Sequence, residues 1–306
     1  MLFCLYLCTM KPALIFHQYI WIINQLMNSK GMTFEALNRR WVNDKVAEGN
    51  PLAIATFHRH RHDIVDMFGV LIECDKRTYK YYISNRDALS DGSVERWLFS
   101  TLTVHGLLAD STAVKDRLVL ENVPAGQEYL ETIINGIKGN LRLRLGYQKF
   151  DHEGYVKTIC PYALKLFHQR WYLLALNDKD QMRIYALDRM KLVELTDATF
   201  KLPAHFSAQA YFDDYFGVLT DGTPMAHVII RTYRWTPDYL RTLPLHHSQR
   251  ELSSTPDYTD FAFDIRPTSD FLGQLLSHGA GIEVLEPQDV REKMRQLVAE
   301  NLKRYE

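Results

Sequence analysis

Near Leu141 the hydrophobic repeat of this 306-residue chain changes period, and that change limits what the chain can fold into. Before it, apart from one short hairpin, apolar residues recur at helical three- and four-residue spacing. From there the run LRLRLGYQKF alternates, with Leu141, Leu143 and Leu145 on one face and Arg142 and Arg144 on the other. A helix-period segment does not settle as a strand, nor the reverse, so a helical front must join a strand-rich centre. YVKTICPYALKLF, RWYLLAL and MRIYAL follow, parted by turns at 151–154 and 177–180. Short strands at this spacing predict a small curled sheet or barrel. The end is mixed: strands are predicted at 226–231, 261–265 and 281–285, and helices at 237–243, 271–278 and 288–304. That succession fits a ferredoxin-like α+β unit with one strand not found. The fold class is multi-domain α+β, and the length suits two or three domains.

The front of the chain carries its own pattern. A helix over 13–28 ends at the Asn28–Gly31 cluster, and Thr33 caps a second helix whose Phe34, Leu37 and Trp41 share one face. Gly49-Asn50-Pro51 turns the chain into a third helix over 54–68, stopped by Gly69. At 100° per residue Phe57, Ile64 and Phe68 fall in one wedge with Arg61 at its edge, while Thr56, Arg59, His62 and Asp63 point away. Strands at 71–73 and 79–83 then flank a turn holding Lys76 and Arg77. Three helices followed by a basic-tipped hairpin is the order of a winged helix-turn-helix. In such a unit the third helix lies in the major groove, where Arg reaches guanine O6 and N7, and the hairpin tip meets phosphate or the minor groove. Thr56, His58, Arg59 and His62 on the helix and Lys76 and Arg77 at the tip are the candidate DNA contacts. Residues 1–86 hold 11 Lys and Arg against 7 Asp and Glu, a net of +4, and the remainder is −5. That asymmetry agrees with nucleic-acid contact at the front.

Other classes lack support. The overall charge of −1 excludes a histone-like protein. Four scattered cysteines, Cys4, Cys8, Cys74 and Cys160, without a CxxC, point to a reducing, cytoplasmic compartment rather than a disulfide scaffold. The apolar first nine residues lack a basic start and a cleavage site, and the run 13–27 is shorter than the roughly 20 residues a membrane span needs. His58 and His62 stand four apart as a zinc pair would, yet no third ligand accompanies them, so no metal is expected. His246-His247 and Asp213-Asp214 have no partner at catalytic spacing. GxSxG, HExxH, P-loop and GxGxxG are absent, so neither an enzyme nor a cofactor is expected.

One stretch resembles a known family. PYALKLFHQR, WYLLAL, RIYALDRM, FKLPAHF and YFDDYFG follow in order from Pro161 to Gly217, and together they resemble the WYL domain of bacterial transcriptional regulators. TFEALNRRW, TFHRHRHDIVDMFG and IECDKRTYKYYISN are similar to the N-terminal winged helix of such regulators, and HGAGIEVLEPQDVREKM to their C-terminal extension. The pattern and the resemblance together give four parts: a DNA-binding domain over 1–88, a helical stretch over 89–137 that reads as a connector or a dimerisation element, an SH3- or Sm-like WYL barrel over 138–217 and an α+β extension over 218–306. The resemblance also implies a homodimer on double-stranded DNA that senses an anionic ligand, a nucleotide or single-stranded nucleic acid. The ligand patch carried over onto this sequence is Tyr162, His168, Arg170, Tyr172, Arg183 and Arg189. Ile54 and Ala55 stand where similar regulators often carry a polar cap and a basic residue, so the third helix begins less polar here. The rival reading is a nucleic-acid-binding sensor or accessory module that does not act through duplex DNA.

Overall fold

The computed structural model describes residues 12–89 and 126–306, with 96 and 101 as isolated positions. It divides into two compact units, Met1–Glu121 and Asn122–Glu306. The first nine residues and most of the connector expected over 89–137 lie outside the described residues. No described helix is long and apolar enough to cross a membrane.

The first unit runs α1 (Pro12–Met27), β1 (Met32–Thr33), α2 (Phe34–Asn43), α3 (Ile54–Phe68), β2 (Ile72–Asp75) and β3 (Lys80–Ile83). Thr33 caps α2 as its sequence position predicts, its hydroxyl accepting the Ala36 N–H at 3.3 Å. Gly69 ends α3 in the left-handed conformation at φ 62°, which costs a residue without Cβ little. The two-residue β1 was not expected; it joins the hairpin to make a three-stranded antiparallel sheet in the order β1-β3-β2. One core unites Ile22, Ile23 and Leu26 of α1, Leu37 and Trp41 of α2, and Phe57, Ile64 and Phe68 of α3. Burial of such side chains, roughly 1.5–3 kcal/mol each, holds the three helices together.

The second unit opens with α4 (Leu130–Gly139) and five strands: β4 (Leu141–Tyr147), β5 (Tyr155–Phe167), β6 (Arg170–Leu176), β7 (Met182–Ala186) and β8 (Met190–Thr199). They form one antiparallel sheet in the order β7-β6-β5-β4-β8, with the first strand paired to the last. The alternation read at Leu141 has its cause here. Leu143 and Leu145 are fully buried while Arg142 and Arg144 face water. The helix α4 was expected to end a connector, but Ile133 sits in the same core as Leu143, Leu145 and Leu173. Gly136 is the point of close approach, since a Cβ there would stand 3.0 Å from Leu143 Cδ2.

A short helix α5 (Ala208–Phe212) leads toward a second sheet of β9 (Ala226–Tyr233), β10 (Arg250–Ser254), β11 (Tyr258–Ile265) and β12 (Ile282–Glu286). Its order is β10-β11-β9-β12, antiparallel throughout, and β10 supplies the strand that the sequence lacked. The helices α6 (Thr236–Thr242), α7 (Ser269–Leu276) and α8 (Gln288–Leu302) intervene or follow, and Leu240, Phe271, Leu275 and Val290 pack on Val228, Ile230 and Phe263. The paired histidines and aspartates prove to be neighbours. His246 and His247 both donate from Nε2 to the Asp213 carbonyl, at 2.7 and 2.9 Å, and Arg266 pairs with Asp214 at 3.2 Å. They pin the segment between the two sheets to the second one.

Candidate nucleic-acid and anion-binding sites

On α3 the buried side chains are Phe57, His60, Ile64 and Phe68, and they leave Ala55, His58, Arg59, His62 and Asp66 as an exposed stripe. The sequence placed Arg61 at the edge of the apolar wedge, and there its guanidinium is consumed structurally. It donates to the Ile72 carbonyl through Nε at 3.1 Å and through a second nitrogen, and it lies 5.2 Å from the Tyr81 ring. His58 Nδ1 is 3.2 Å from the same guanidinium. Thr56 is half-buried in a groove of about 450 Å³ that Arg59 and His60 also line. Asp63 turns inward and accepts the Tyr19 hydroxyl at 2.6 Å. At the hairpin tip, Asp75 accepts the Arg77 N–H and the Thr78 hydroxyl, both at 2.8 Å, and these bonds hold its carboxyl below the usual range. The tip is thereby fixed, with Lys76, Arg77 and Tyr79 all exposed.

In the second unit two concavities share Tyr147, Arg183, Ile184 and Arg189, so they form one trough. The larger, about 430 Å³, adds Lys149, Phe150, His152, Tyr155 and Lys157. The smaller, about 300 Å³, adds Tyr172 and the backbone stretch Val218, Leu219 and Thr220. Arg183 spends its N–H groups on neutral acceptors, the Gln181 side chain at 2.7 Å and the Met182 carbonyl at 3.2 Å. Arg189 lies over the Phe150 ring at 3.9 Å, and its buried Nε has no hydrogen-bond partner among the described residues. Neither arginine meets a carboxylate among the described residues; Lys157 alone of the trough's cations faces one, Asp178 at 3.8 Å. Burial pushes the Tyr147 and Tyr155 hydroxyls up and Tyr185 to about 12, so these three tyrosines stay neutral. Guanidinium forks beside neutral aromatic rings suit an anion that carries a planar group.

The other three residues of the expected ligand patch line neither concavity. Tyr162 stacks on Phe200 at 5.7 Å and meets Phe206 edge-on. His168 sits in the β5–β6 turn at φ 46°, its ring 4.1 Å from Phe167. Arg170 pairs with Asp188 at 3.4 Å. Conversely, Lys149, Phe150, His152, Tyr155 and Lys157 were not singled out from the sequence. One signal for them existed: Tyr155 and Lys157 are two apart on β5 and so share a face, and Tyr155 is registered against Tyr147.

The chain matches the WYL domain over residues 128–195 and the WCX domain over residues 226–302. Among solved structures it is similar to proteasome accessory factor B/C (PafBC) of Arthrobacter aurescens, at 19% identity and a TM-score of 0.36, covering 92% of this chain and 46% of that one. It therefore spans a little under half the length of that chain. It is also similar to a CRISPR Cas-related protein, at 11% identity and a TM-score of 0.39, covering 96% of this chain and 85% of that one. No curated protein matches it. The first match takes in α4 and most of the five-stranded sheet, the second takes in the β9–β12 sheet and its helices, and the chain therefore carries a WYL domain followed by a WCX domain.

Proposed function

We propose that this protein is a cytoplasmic transcriptional regulator that binds double-stranded DNA through its first unit and senses an anionic ligand, a nucleotide or single-stranded nucleic acid, in the WYL trough. It acts as a homodimer, each copy reading a half-site about 34–36 Å or a multiple of that from the other. In this reading the first unit is a winged helix-turn-helix with α3 in the major groove, α4 to β8 form a Sm-like barrel, and the β12-β9-β11-β10 sheet is ferredoxin-like. The protein binds and does not catalyse.

The observation that carries the reading is the trough, where Lys149, Lys157, Arg183 and Arg189 converge on Tyr147, Phe150, Tyr155 and Tyr185. Duplex binding is supported by the exposed α3 stripe beside a hairpin tip with Lys76 and Arg77. Arg59 is the side chain on that stripe able to make a bidentate guanine contact, worth about 1–3 kcal/mol of discrimination. A gel-shift titration tests it: Arg59→Ala weakens operator binding more than bulk DNA binding, whereas equal loss on both removes Arg59 from base readout. One observation favours the rival. Arg59 is the stripe's only permanent cation and Asp66 shares its face, an arrangement that suits a module taking single strands in the trough and using α3 for protein contact. Binding to single strands alone, abolished by Arg183→Ala with Arg189→Ala, selects that reading.

A further inference from the structure

We propose that the anion site is composite: the segment entering the WCX domain forms one wall, and Asp270 of α7 is the residue that positions this wall. The inference rests on the ligand-sensing reading of the trough and adds to it how the second sheet takes part.

The smaller concavity is bounded on one side by Tyr172, Arg183 and Arg189 of the barrel and on the other by Val218, Leu219 and Thr220. That second wall is held by Asp270. Its Oδ2 accepts the Val218 N–H at 2.9 Å and the Leu219 N–H at 3.1 Å. Its Oδ1 accepts the Phe271 N–H at 2.9 Å and the Thr268 hydroxyl. The barrel grips the same turn one residue earlier, where Lys165 donates from Nζ to the Gly217 carbonyl at 2.6 Å. Gly217 is a point of close approach on both sides. A Cβ there would run into the Asp270 carboxylate and would stand 2.9 Å from the Phe167 ring. Phe216, next to it, touches Phe167 of β5 at 5.3 Å and Phe271 of α7 at 5.9 Å. One turn therefore joins the barrel, the trough and the N-terminal end of α7, and Asp270 reaches the ligand only through the backbone it holds.

Charge and position make opposite forecasts for Asp270, and this makes the proposal testable. A carboxylate near an anion site opposes the anion, so its removal would tighten binding if charge were its whole contribution. If Asp270 positions the wall, truncation frees residues 218–220 and weakens binding, while the amide of Asn still accepts the two N–H groups. The test is fluorescence anisotropy on the full chain with a fluorescein-labelled six-nucleotide thymidine strand, joined to hydrogen exchange. The expected result is that Asp270→Ala weakens the strand about five-fold or more, that Asp270→Asn binds at least as tightly as wild type, and that the strand slows exchange at Val218 and Leu219 and along α7 in the unmodified protein. The exchange readout needs no variant and stands even if Asp270→Ala fails to fold. Unchanged exchange at 218–220 and α7 on a strand that does bind, or tighter binding by Asp270→Ala, overturns the composite site and leaves the trough in place. Binding by wild type no better than by Arg183→Ala with Arg189→Ala overturns the trough and the composite site together.

Discussion

His60 is 3% exposed between Tyr19, whose ring centroid is 5.0 Å away, and Trp41 at 6.5 Å, and neither of its ring nitrogens has a hydrogen-bond partner among the described residues. The helical wedge drawn from the sequence gave the fourth inward place on α3 to no one, with Arg61 at its edge, because hydropathy ranks histidine as polar. What fills that place is an imidazole in an aromatic slot formed by side chains from α1 and α2, which no local pattern in α3 reports. Burial holds its pKa down to about 4 against an ordinary 6.5. The unfolded chain takes up this proton near pH 6.5 and the folded chain refuses it until about 4, so stability is lost as pH falls across that window. His60→Leu removes a buried unpaired polar group and should raise stability by about 1 kcal/mol at pH 7, and by more at pH 5. Urea unfolding followed by tryptophan fluorescence at the two pH values measures both. Lys165 gives the complementary case. Burial lowers its pKa from 10.5 to about 8, so below pH 8 both states carry the proton, and between 8 and 10.5 the unfolded chain alone holds it. Relative to Lys165→Met, the wild type should gain stability as pH rises through that interval, read as the difference in urea midpoints at pH 7 and 9.5.

At the scale of elements, those with internal periodicity or caps were legible and those defined by a partner were not. Thr33, Gly69 and the LRLRLGY alternation announce α2, α3 and β4 locally. In β10 every residue of RELSS is exposed, so nothing alternates, and the strand exists through its register with β11, Arg250 facing Ala262 and Glu251 facing Phe261. The two residues of β1 are likewise a strand because β3 lies beside them. Half of the trough was hidden for the same reason, since Lys149, Phe150 and His152 lie in the β4–β5 connection and Tyr155 and Lys157 on β5, and they meet Arg183 of β7 and Arg189 only once the sheet has formed. The helix α4 yields an element-scale prediction. With Leu143 and Pro161 side chains within 3.4 Å of a Cβ at Gly136, Gly136→Val should overpack the contact and cost about 1–3 kcal/mol in urea unfolding. A neutral outcome would return α4 to the role of a connector. Thr33→Ala should cost about 1 kcal/mol through the lost cap of α2.

For the whole molecule, the division into two units falls between Glu121 and Asn122, within the stretch read as a connector, and the WYL match precedes the WCX match as the resemblance implied. Composition spreads 36 basic against 37 acidic side chains over the chain, while the front third carries a net +4. A protein that uses that front to hold duplex DNA must release counterions and weaken steeply with salt. The most direct test of the account is a titration of the full-length protein with duplex DNA selected from a random pool, at about 50 and 200 mM salt, with and without a short single strand. The account predicts a footprint on the selected duplex, at least ten-fold weaker binding at the higher salt, and a further change in duplex affinity when the strand is added. That change should vanish in Arg183→Ala with Arg189→Ala. A protein that leaves every duplex unbound at low salt, strand or no strand, would contradict it.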